Sequence, residues 1–536
     1  MFYILISVAF LLPVFAGIGR ISQLFFGKIW DGISGKIVSG IMWISLLWTA
    51  IAFFVPINFI VEISTLIIGF LGFFYFKLYR NFWDFFTSNF KFFIPIAIII
   101  IFAGSFFPFI LDHFGYYVPT IKWISEFGLV KGISNLDLLL GQMSVWHIFQ
   151  AGFSHFSDPF LRMNTIVLIV YLIYIFEKKS WIHLLFVPVL FLFSQSPSPD
   201  LPAIVFSLIL LNEILLSNKN ISAIFAVSVL IFAIKPTMMW IPILVLLYGI
   251  FILKSNLKFI FIGSLVLILF FIKNLWCFGF PVFPVQIADF GLSWKPNPEL
   301  LKISSQVAVL KTFDMQYSYA EIQNFSVWEH IKNWLFLKGI KSKIHLLFVA
   351  SFAVFAVFSL MKKKKIIALV FISIFIKSAL VLLFSAQYRF FTDVFFVIVF
   401  VMLFDKISKQ KSILAFSVFA VFFLGFLAFP NLIRKNIPSF RLGQFMTGFQ
   451  KSQILKPAHF QLNKYKTHQI GNLKFNIVKG YFLSFDTPIP AISPGFLKEY
   501  LDAGIFPQKN SENLKDGFRW RKLSDSEKKE LQKIMR

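Results

Sequence analysis

Cysteine is nearly absent from this chain, whose 536 residues include only Cys277. A single cysteine excludes a disulfide framework and any metal site built from cysteine ligands. The signatures of familiar soluble enzymes are also missing, since there is no glycine-rich phosphate loop, no HExxH, no GxSxG and no paired CxxC. No basic segment precedes the first apolar run, so we interpret residues 1–17 as a first membrane span rather than a cleavable signal.

Charged residues are scarce, at 14% of the chain, whereas a soluble protein of average composition has about 25%. The charges are also unbalanced, with 51 Lys and Arg against 25 Asp and Glu and a net charge of +26. Most basic residues lie in the C-terminal tail or in short loops between apolar runs, where membrane proteins carry positive charge on the cytoplasmic side. We therefore attribute the excess charge to membrane topology and predict no nucleic-acid partner.

Apolar sequence is abundant, at 58% hydrophobic residues and a mean hydropathy of +0.78. Apolar runs of about 17 to 20 residues recur through residues 1–430, and each is long enough to cross a bilayer. We predict an all-α polytopic membrane protein with about 12–14 transmembrane helices in this region. Residues 431–536 are polar and contain strand-like segments, which predicts a small C-terminal α+β region outside the membrane.

The loops between the apolar runs form two alternating sets. One set is short and basic, and the positive-inside rule places it in the cytoplasm. The other set contains two long loops, 112–160 and 274–343, and polar turns at 194–200, 235–236 and 385–389. Every unusual polar motif lies in this second set, and the same alternation places residues 431–536 on that side. The sequence thus predicts one composite site on the outer, periplasmic face.

Asp112 is the first candidate catalytic residue. It follows the apolar run of residues 92–111 and begins an aromatic and polar loop, with His113 beside it. A carboxylate at the mouth of a membrane helix is costly to hold and is often functional. Asp112 therefore fits a catalytic base or a metal ligand. The alternative is an ordinary helix-end charge that reaches into water.

Aromatic and polar side chains follow in the same loop. Residues 117–124 fit an amphipathic helix that lies along the membrane interface, and residues 144–147 begin another. Rings near a carboxylate suit sugar recognition, because the C–H face of a pyranose stacks on an aromatic ring. An interfacial aromatic belt is the alternative, since it also enriches tryptophan and tyrosine. The candidates for binding a substrate are Tyr116, Tyr117, Trp123, Asn135, Trp146 and His147.

Four more candidates lie in the other turns of this face. Asp200 ends the SPSPD turn as a second catalytic carboxylate, although capping of the following helix explains it equally well. Lys235 and Arg389 place cations at the membrane edge, where an anionic lipid phosphate needs a partner. Snorkelling is the alternative for Lys235. Asn274 is part of a polar pair at a helix end that leads into a Gly/Pro-rich turn.

The order of these motifs resembles the GT-C superfamily, the polytopic glycosyltransferases that take sugars from polyprenyl-linked donors. More closely, it resembles a bacterial group of uncharacterised GT-C-like membrane proteins. In the superfamily an Asp opens the first large external loop and two amphipathic helices follow, a layout that Asp112 and residues 116–155 match. The resemblance covers residues 90–400 and rests on these stretches: DHFGYYVPTIKWISEFGLVKGISN, SVWH, SPSPD, IKPT, KNLWCFGFPVFP and QYRF.

The resemblance implies a fold and a reaction class, with inversion at the anomeric carbon. It departs at His113, where the superfamily often has a second acidic residue. The sequence requires no cofactor and leaves a divalent metal open.

We predict a glycosyltransferase of the bacterial inner membrane. Asp112 would deprotonate the acceptor hydroxyl, and Lys235 and Arg389 would hold the departing lipid phosphate. Its partners would be a lipid-linked sugar donor, membrane lipids and a glycan, lipid or protein acceptor.

The alternatives are a transporter or flippase of lipid-linked saccharides, and a polymerase of them. A transporter should carry ionisable groups near the middle of its spans. Glu62, Glu213 and Lys377 are the candidates for such groups, whereas the polar motifs lie on one face, which favours an enzyme.

Overall fold

The computed structural model describes residues 1–439, 442, 445–460 and 464–535, and it is 67% helical. The first six helices are α1 (Phe2–Phe26), α2 (Ile33–Ile51), α3 (Phe59–Tyr75), α4 (Leu78–Gly104), α5 (Val118–Phe127) and α6 (Val145–Ala151). The next six are α7 (Met163–Lys178), α8 (Val187–Leu190), α9 (Asp200–Leu215), α10 (Ile221–Ile234), α11 (Trp240–Phe251) and α12 (Phe261–Phe278).

The second long loop contains three helices, α13 (Pro298–Thr312), α14 (Tyr319–Gln323) and α15 (Val327–Leu335). After it come α16 (Ile340–Lys362), α17 (Lys365–Phe384), α18 (Thr392–Leu403), α19 (Lys409–Ala428) and α20 (Pro430–Asn436). The tail contains β1 (Tyr465–Ile470), β2 (Leu473–Val478), α21 (Pro494–Asp502), β3 (Ile505–Lys509), β4 (Phe518–Lys522) and α22 (Asp525–Ile534).

Seven helices of the described ranges are long and apolar enough to cross a membrane, namely α1, α2, α4, α12, α16, α17 and α19. We predicted about 12–14 spans, and those outside the seven are α3 near the N-terminus, α18 near the end of the bundle and the segments of residues 161–253 in the middle of the chain. There α7 and α9 have 16 residues each, or about 24 Å of helix, against a bilayer core of about 30 Å. Their apolar residues are almost all buried against other helices, so protein rather than lipid accounts for their hydrophobicity.

The predicted span at 182–195 is wrong as a continuous helix. This segment consists of the short helix α8 between two 3₁₀ turns, Trp181–Leu185 and Phe191–Phe193. Pro188 lacks an amide proton and therefore fits only the first turn of a helix. The buried polar side chains of Ser194 and Gln195 bond to nearby carbonyl groups instead of continuing an apolar face.

Glycines allow the N-terminal helices to pack at close range. A β-carbon at Gly19 would lie 1.7 Å from the carbonyl oxygen of Lys36 on α2, and one at Gly40 would lie 2.0 Å from that of Phe15 on α1. A β-carbon at Gly17 would lie 2.0 Å from the carbonyl oxygen of Gly69 on α3. Small residues at such crossings are typical of helices that associate in membranes.

The tail forms two antiparallel hairpins, with Tyr465 opposite Val478 in β1–β2 and Ile505 opposite Lys522 in β3–β4. It packs directly on the first long loop. The Phe518 amide donates to the carbonyl of Lys131 over 3.0 Å, and the Phe485 amide donates to that of Phe114 over 3.1 Å. The ring of Phe114 also stacks on that of Phe485, with centroids 4.7 Å apart.

This packing changes the environment that we predicted for the loop. Helix α5 exists and includes most of residues 117–124, but its Trp123 is 1% exposed and meets the ring of Phe518 edge-on. Helix α6 likewise begins where residues 144–147 predicted a helix, and its residues are buried. The two helices are therefore not exposed to headgroups at these positions, because the tail and the helix bundle cover them.

Arg162 fastens the tail to the bundle. Its buried guanidinium donates to the carbonyl oxygen of Gly104 over 2.9 Å, to that of Phe160 over 2.6 Å and to that of Ala458 over 2.7 Å. The Asp158 carboxylate accepts from the Arg162 amide over 2.8 Å. One side chain thus joins the end of α4, the first long loop and the tail.

Candidate functional site

An ion pair joins Asp112, in the first of the matching sequence stretches, to Arg389, in the last of them. Asp112 follows α4 after a short loop, and Arg389 lies in the 3₁₀ turn Tyr388–Phe391 that precedes α18. The Arg389 Nη1 atom donates to the Asp112 Oδ2 atom over 3.0 Å, across 277 positions of sequence. The two side chains remain 45% and 35% exposed, so solvent or a ligand can reach both.

A second ion pair joins Lys235 to Asp200. Asp200 is the first residue of α9, and Lys235 lies between α10 and the turn that leads into α11. The Lys235 ammonium donates to the Asp200 carboxylate, which also accepts from the Ser198 hydroxyl over 2.9 Å. The side chain of Asp200 binds these two groups rather than a backbone amide of α9, so its alternative role as a helix cap is not what the structure shows.

Two tyrosines lie near both pairs, and a histidine packs against the tyrosine rings. Burial raises the pKa of Tyr116, and the Asp112 carboxylate raises it further, with a smaller effect from Asp200. Burial also raises the pKa of Tyr117, followed by Tyr116 and the same two carboxylates. The ring of His147 lies 4.9 Å from that of Tyr117 and 5.8 Å from that of Tyr116, centroid to centroid.

Seven of the predicted residues therefore converge. We call them the two-carboxylate site, which consists of Asp112, Tyr116, Tyr117, His147, Asp200, Lys235 and Arg389. They come from five segments of sequence, and all of these segments belong to the polar set of loops and turns. The site contains two carboxylates, two cations that pair with them, and a cluster of three rings near the pairs.

Two further candidates hold the bundle rather than line the site. The His113 Nδ1 atom lies 3.0 Å from the Ser196 hydroxyl, and burial keeps the pKa of His113 well below its ordinary value. The Trp146 indole donates to Asn164 Oδ1 over 2.9 Å. Both side chains are buried, and both tie the first long loop to neighbouring segments.

The remaining three candidates hold the loops and the tail together. The Asn135 amide donates to the carbonyl oxygens of Trp294 over 2.7 Å and Phe518 over 3.3 Å. The Asn274 amide donates to the carbonyl of Pro281 over 2.6 Å and so closes the Gly/Pro-rich turn. Trp123 packs against Phe518, as described above. These contacts hold the loops and the tail together, and within the described residues the Asn135 Oδ1 atom is buried without a hydrogen-bond partner.

Three residues hold the turn that carries Arg389, and of these the sequence pointed only to Lys377, as a mid-span charge, and not to Asp393 or Trp334. Lys377 on α17 donates both to the Asp393 carboxylate, over 2.6 Å, and to the carbonyl of Phe390. The Trp334 indole of α15 donates to the carbonyl of Ala386 over 2.8 Å. These bonds hold both sides of the turn that carries Arg389. The signal in the sequence was Asp393, a carboxylate inside an apolar run, where a buried Lys is the expected partner.

The candidate mid-span charges all have partners. The Glu62 carboxylate accepts from the amides of His155, Phe156 and Ser157 over 3.2, 3.1 and 2.6 Å. Glu213 accepts from the Tyr174 hydroxyl over 2.9 Å and pairs with Lys178 over 3.1 Å. With Lys377 bound to Asp393, each of the three charges stabilises a loop or a helix end.

The described ranges contain no cluster of three or more His, Cys, Asp or Glu side chains that could bind a divalent metal ion. Asp112 and Asp200 are the carboxylates with the right chemistry for Mg²⁺ or Mn²⁺. Each is already bound to a cationic side chain. A metal ion at either one would therefore have to replace Arg389 or Lys235 as the partner.

Two acidic groups lie where the tail meets the first long loop. Asp137 of the first long loop accepts from the Ser493 hydroxyl over 2.6 Å, just before α21. Burial, followed by the charge of Asp137, raises the pKa of Glu499 on α21 to about 7. Burial also raises the pKa of Asp137 to about 6.

These pKa shifts predict that α21 of the tail binds the first long loop more weakly at alkaline pH. Because the pKa of Glu499 is higher in the folded chain than its ordinary 4.5, its stabilising contribution is complete below pH 4.5 and is lost as the pH rises through 7. Hydrogen exchange of the α21 amides, corrected for intrinsic rates, should show more opening at pH 8 than at pH 5. In Glu499→Gln, the opening of α21 should depend less steeply on pH, and the remaining dependence should come from Asp137. An unchanged slope in Glu499→Gln would contradict the assignment.

The comparison with known protein families gives one match, over residues 1–396, to the family described as a domain of unknown function (DUF8201). The chain belongs to this family. The matched residues contain the whole two-carboxylate site, from Asp112 to Arg389, and end before the tail. No curated protein and no solved structure matches the chain.

Proposed function

We propose that the protein is a membrane glycosyltransferase of the bacterial inner membrane. It transfers a sugar from a polyprenyl-phosphate-linked donor to a cell-envelope acceptor on the periplasmic face. The observation that carries the proposal is the convergence of Asp112 and Asp200, each with a cation, at the ends of apolar helices beside a cluster of aromatic rings. Such a site can take a proton from a hydroxyl group and stabilise a phosphate that leaves with its electron pair.

In the proposed reaction, Asp112 accepts the proton of the acceptor hydroxyl as that oxygen attacks the anomeric carbon. The new carbon–oxygen bond forms while the bond from that carbon to the phosphate oxygen breaks, and the lipid phosphate leaves. Asp112 suits the role of base because its carboxylate is accessible. Arg389 uses one of its five N–H groups on Asp112, which leaves the others free to donate to phosphate.

The pairing of Lys235 with Asp200 changes the role that we first predicted for Asp200. Instead of acting as a second catalytic carboxylate, Asp200 would bind the substrate together with Lys235. Lys235 has three N–H donors, of which one binds Asp200, so the pair can contact a phosphate and a sugar hydroxyl together. Tyr116, Tyr117 and His147 form a buried cluster of rings beside the pairs, and a sugar can stack on them only where the site opens to admit it.

The charges in the spans do not support the rival proposal of a transporter or flippase. Glu62, Glu213 and Lys377 each have fixed partners within the chain. A transporter that couples movement to ion binding needs such groups to exchange partners during the cycle. A polymerase of lipid-linked saccharides stays within the same reaction class and differs in its acceptor.

Mass spectrometry of envelope glycans and glycolipids in a deletion strain tests the proposal. We expect one defined sugar to be missing from a glycan or glycolipid and to return with the wild-type gene. A transporter predicts a different result, namely that the complete lipid-linked saccharide, with no sugar missing from it, accumulates on the cytoplasmic side of the membrane. That outcome would exclude glycosyl transfer by this chain.

A further inference from the structure

Helix α15 of the second long loop has an exposed apolar side. Val327 and Ile331 are one helical turn apart, and Trp328 lies three positions before Ile331, so the three side chains share one side of the helix. Val327 is 80% exposed and Trp328 is 71% exposed, and Ile331 and Phe336 are exposed as well. Large apolar groups that are exposed together mark a surface that contacts a membrane or another protein.

The other sides of α15 have different surroundings. Glu329, Lys332 and Asn333 repeat the same spacing on the opposite side of the helix and give it a polar surface. Trp334 is buried against the protein, and its indole donates to the carbonyl of Ala386 over 2.8 Å. A helix with one apolar side and one polar side is the pattern of a segment that lies in the plane of a membrane interface.

The fold fixes this orientation at both ends of α15. At the start, the Glu329 amide donates to the Ser326 hydroxyl over 3.3 Å, and the Ser326 amide donates to the Glu329 carboxylate over 2.9 Å, which forms a capping box. At the end, the ring of Trp334 stacks on that of His345 of α16, with centroids 4.1 Å apart. The apolar side is therefore held outward in the folded chain.

The next helix indicates that lipid covers the apolar side of α15. Helix α16 follows α15 after a short connection, and it is one of the seven helices that are long and apolar enough to cross a membrane. Most of its apolar stretch is exposed, including Leu347 and Val349. A helix that immediately precedes such a span lies at the membrane surface, and its exposed apolar side continues the lipid-facing surface of the span.

Trp328 suits this position in the membrane. A tryptophan at the interface places its ring among the acyl chains near the surface while its indole N–H reaches the polar headgroups. Within the described part of the chain the Trp328 indole donates to no other group, so it is available to lipid or water.

We propose that α15 lies in the boundary between lipid headgroups and acyl chains, with Val327, Trp328 and Ile331 against the lipid. The sequence predicted such a position for α5 and α6, which the tail and the bundle cover, and α15 takes it instead. The inference goes beyond the proposed function, because it applies to any reaction at the two-carboxylate site. Since Trp334 of α15 also holds the turn that carries Arg389, the contact with the bilayer supports that turn.

Spin labels on the full-length chain test which side of α15 faces lipid. The chain is reconstituted in vesicles of phosphatidylethanolamine and phosphatidylglycerol with one label, at Trp328→Cys, at Ile331→Cys or at Asn333→Cys, the matched control on the polar side. The native Cys277 is buried, so the wild-type chain is the labelling blank. Oxygen dissolves in acyl chains, whereas a charged nickel chelate stays in water. The ratio of collisions with oxygen to collisions with the chelate should be several-fold higher at positions 328 and 331 than at position 333.

Two results of this measurement would overturn the inference. Equal ratios at the three positions would mean that water surrounds α15 on all sides. Labels at positions 328 and 331 that neither oxygen nor the chelate reaches would mean that protein, such as a second copy of the chain, covers the apolar side.

A phospholipid that forms a carbene in light tests the wild-type chain in the same vesicles without any substitution. Peptides from α15 and α16 should carry the label, while peptides from the β1–β2 hairpin should not. Label on α16 with none on α15 would contradict the position of α15. Neither measurement requires turnover, so a deletion strain that lacks no sugar would remove the proposed reaction and leave the contact of α15 with lipid in place.

Discussion

Asp112→Asn should reduce formation of the glycosylated product by at least about a hundredfold, because general base catalysis typically contributes between a hundredfold and ten-thousandfold. The amide of Asn is nearly the same size as the carboxylate and still accepts a hydrogen bond from Arg389, but it cannot take a proton from an acceptor hydroxyl. The measurement is the amount of the missing sugar that each variant restores to the envelope of the deletion strain.

The effect must be specific to this carboxylate. Asp289→Asn is the matched control, because Asp289 is also an exposed Asp in a polar loop, where it pairs with Lys295 over 2.5 Å. We expect the control to restore the sugar fully, and Asp200→Asn to give an intermediate result, since it leaves Lys235 in place without its partner. Full restoration by Asp112→Asn, with protein levels equal to those of the wild type, would remove Asp112 from the chemistry.

The residues of the site could be found from the sequence because a single rule linked them. Asp112, Asp200, Lys235 and Arg389 each stand at an end of an apolar run, and the alternation of basic and polar loops put all four ends on one face. Opposite charges at helix ends on the same face of an apolar bundle have few other polar partners, so they pair with one another. The partners within the pairs were not predictable, since nothing in the sequence says which carboxylate faces which cation.

The structural roles of Trp123 and Asn135 could not be predicted in the same way. Both looked like residues of an interfacial loop, but both contact Phe518, which lies more than three hundred positions later. Contacts of such long range depend on how the tail folds over the loop, and local composition carries no information about that.

The seven long apolar helices are fewer than the 12–14 predicted spans, and burial explains part of the difference. Hydropathy reports how apolar a segment is but not whether lipid or protein covers it. The segment at 182–195 is apolar because Leu184, Leu190 and Phe191 are buried among helices. A segment with such surroundings can contain 3₁₀ turns, since neighbouring parts of the protein satisfy its backbone groups, whereas a lipid-exposed segment cannot.

Lys377→Met should destabilise the protein by about 3–5 kcal/mol, the usual cost of leaving one member of a buried ion pair alone. Lys377 and Asp393 are 0% and 4% exposed, so water cannot replace the lost ammonium at the carboxylate. The thermal unfolding midpoint in detergent should fall clearly below that of the wild type. Lys28→Met is the matched control, because its pair with Asp31 is exposed on both sides and should contribute little.

The double variant Lys377→Met/Asp393→Leu separates stability from function. Replacing both members of a buried pair by apolar residues is often neutral or stabilising, so the unfolding midpoint should recover. Activity should remain low, because the double variant still lacks the bond from Lys377 to the carbonyl of Phe390, which fixes the turn beside Arg389. If stability and activity recovered together, the pair would only stabilise the fold. Continued loss of activity in a stable protein would show that a buried charge on α17 sets the position of Arg389.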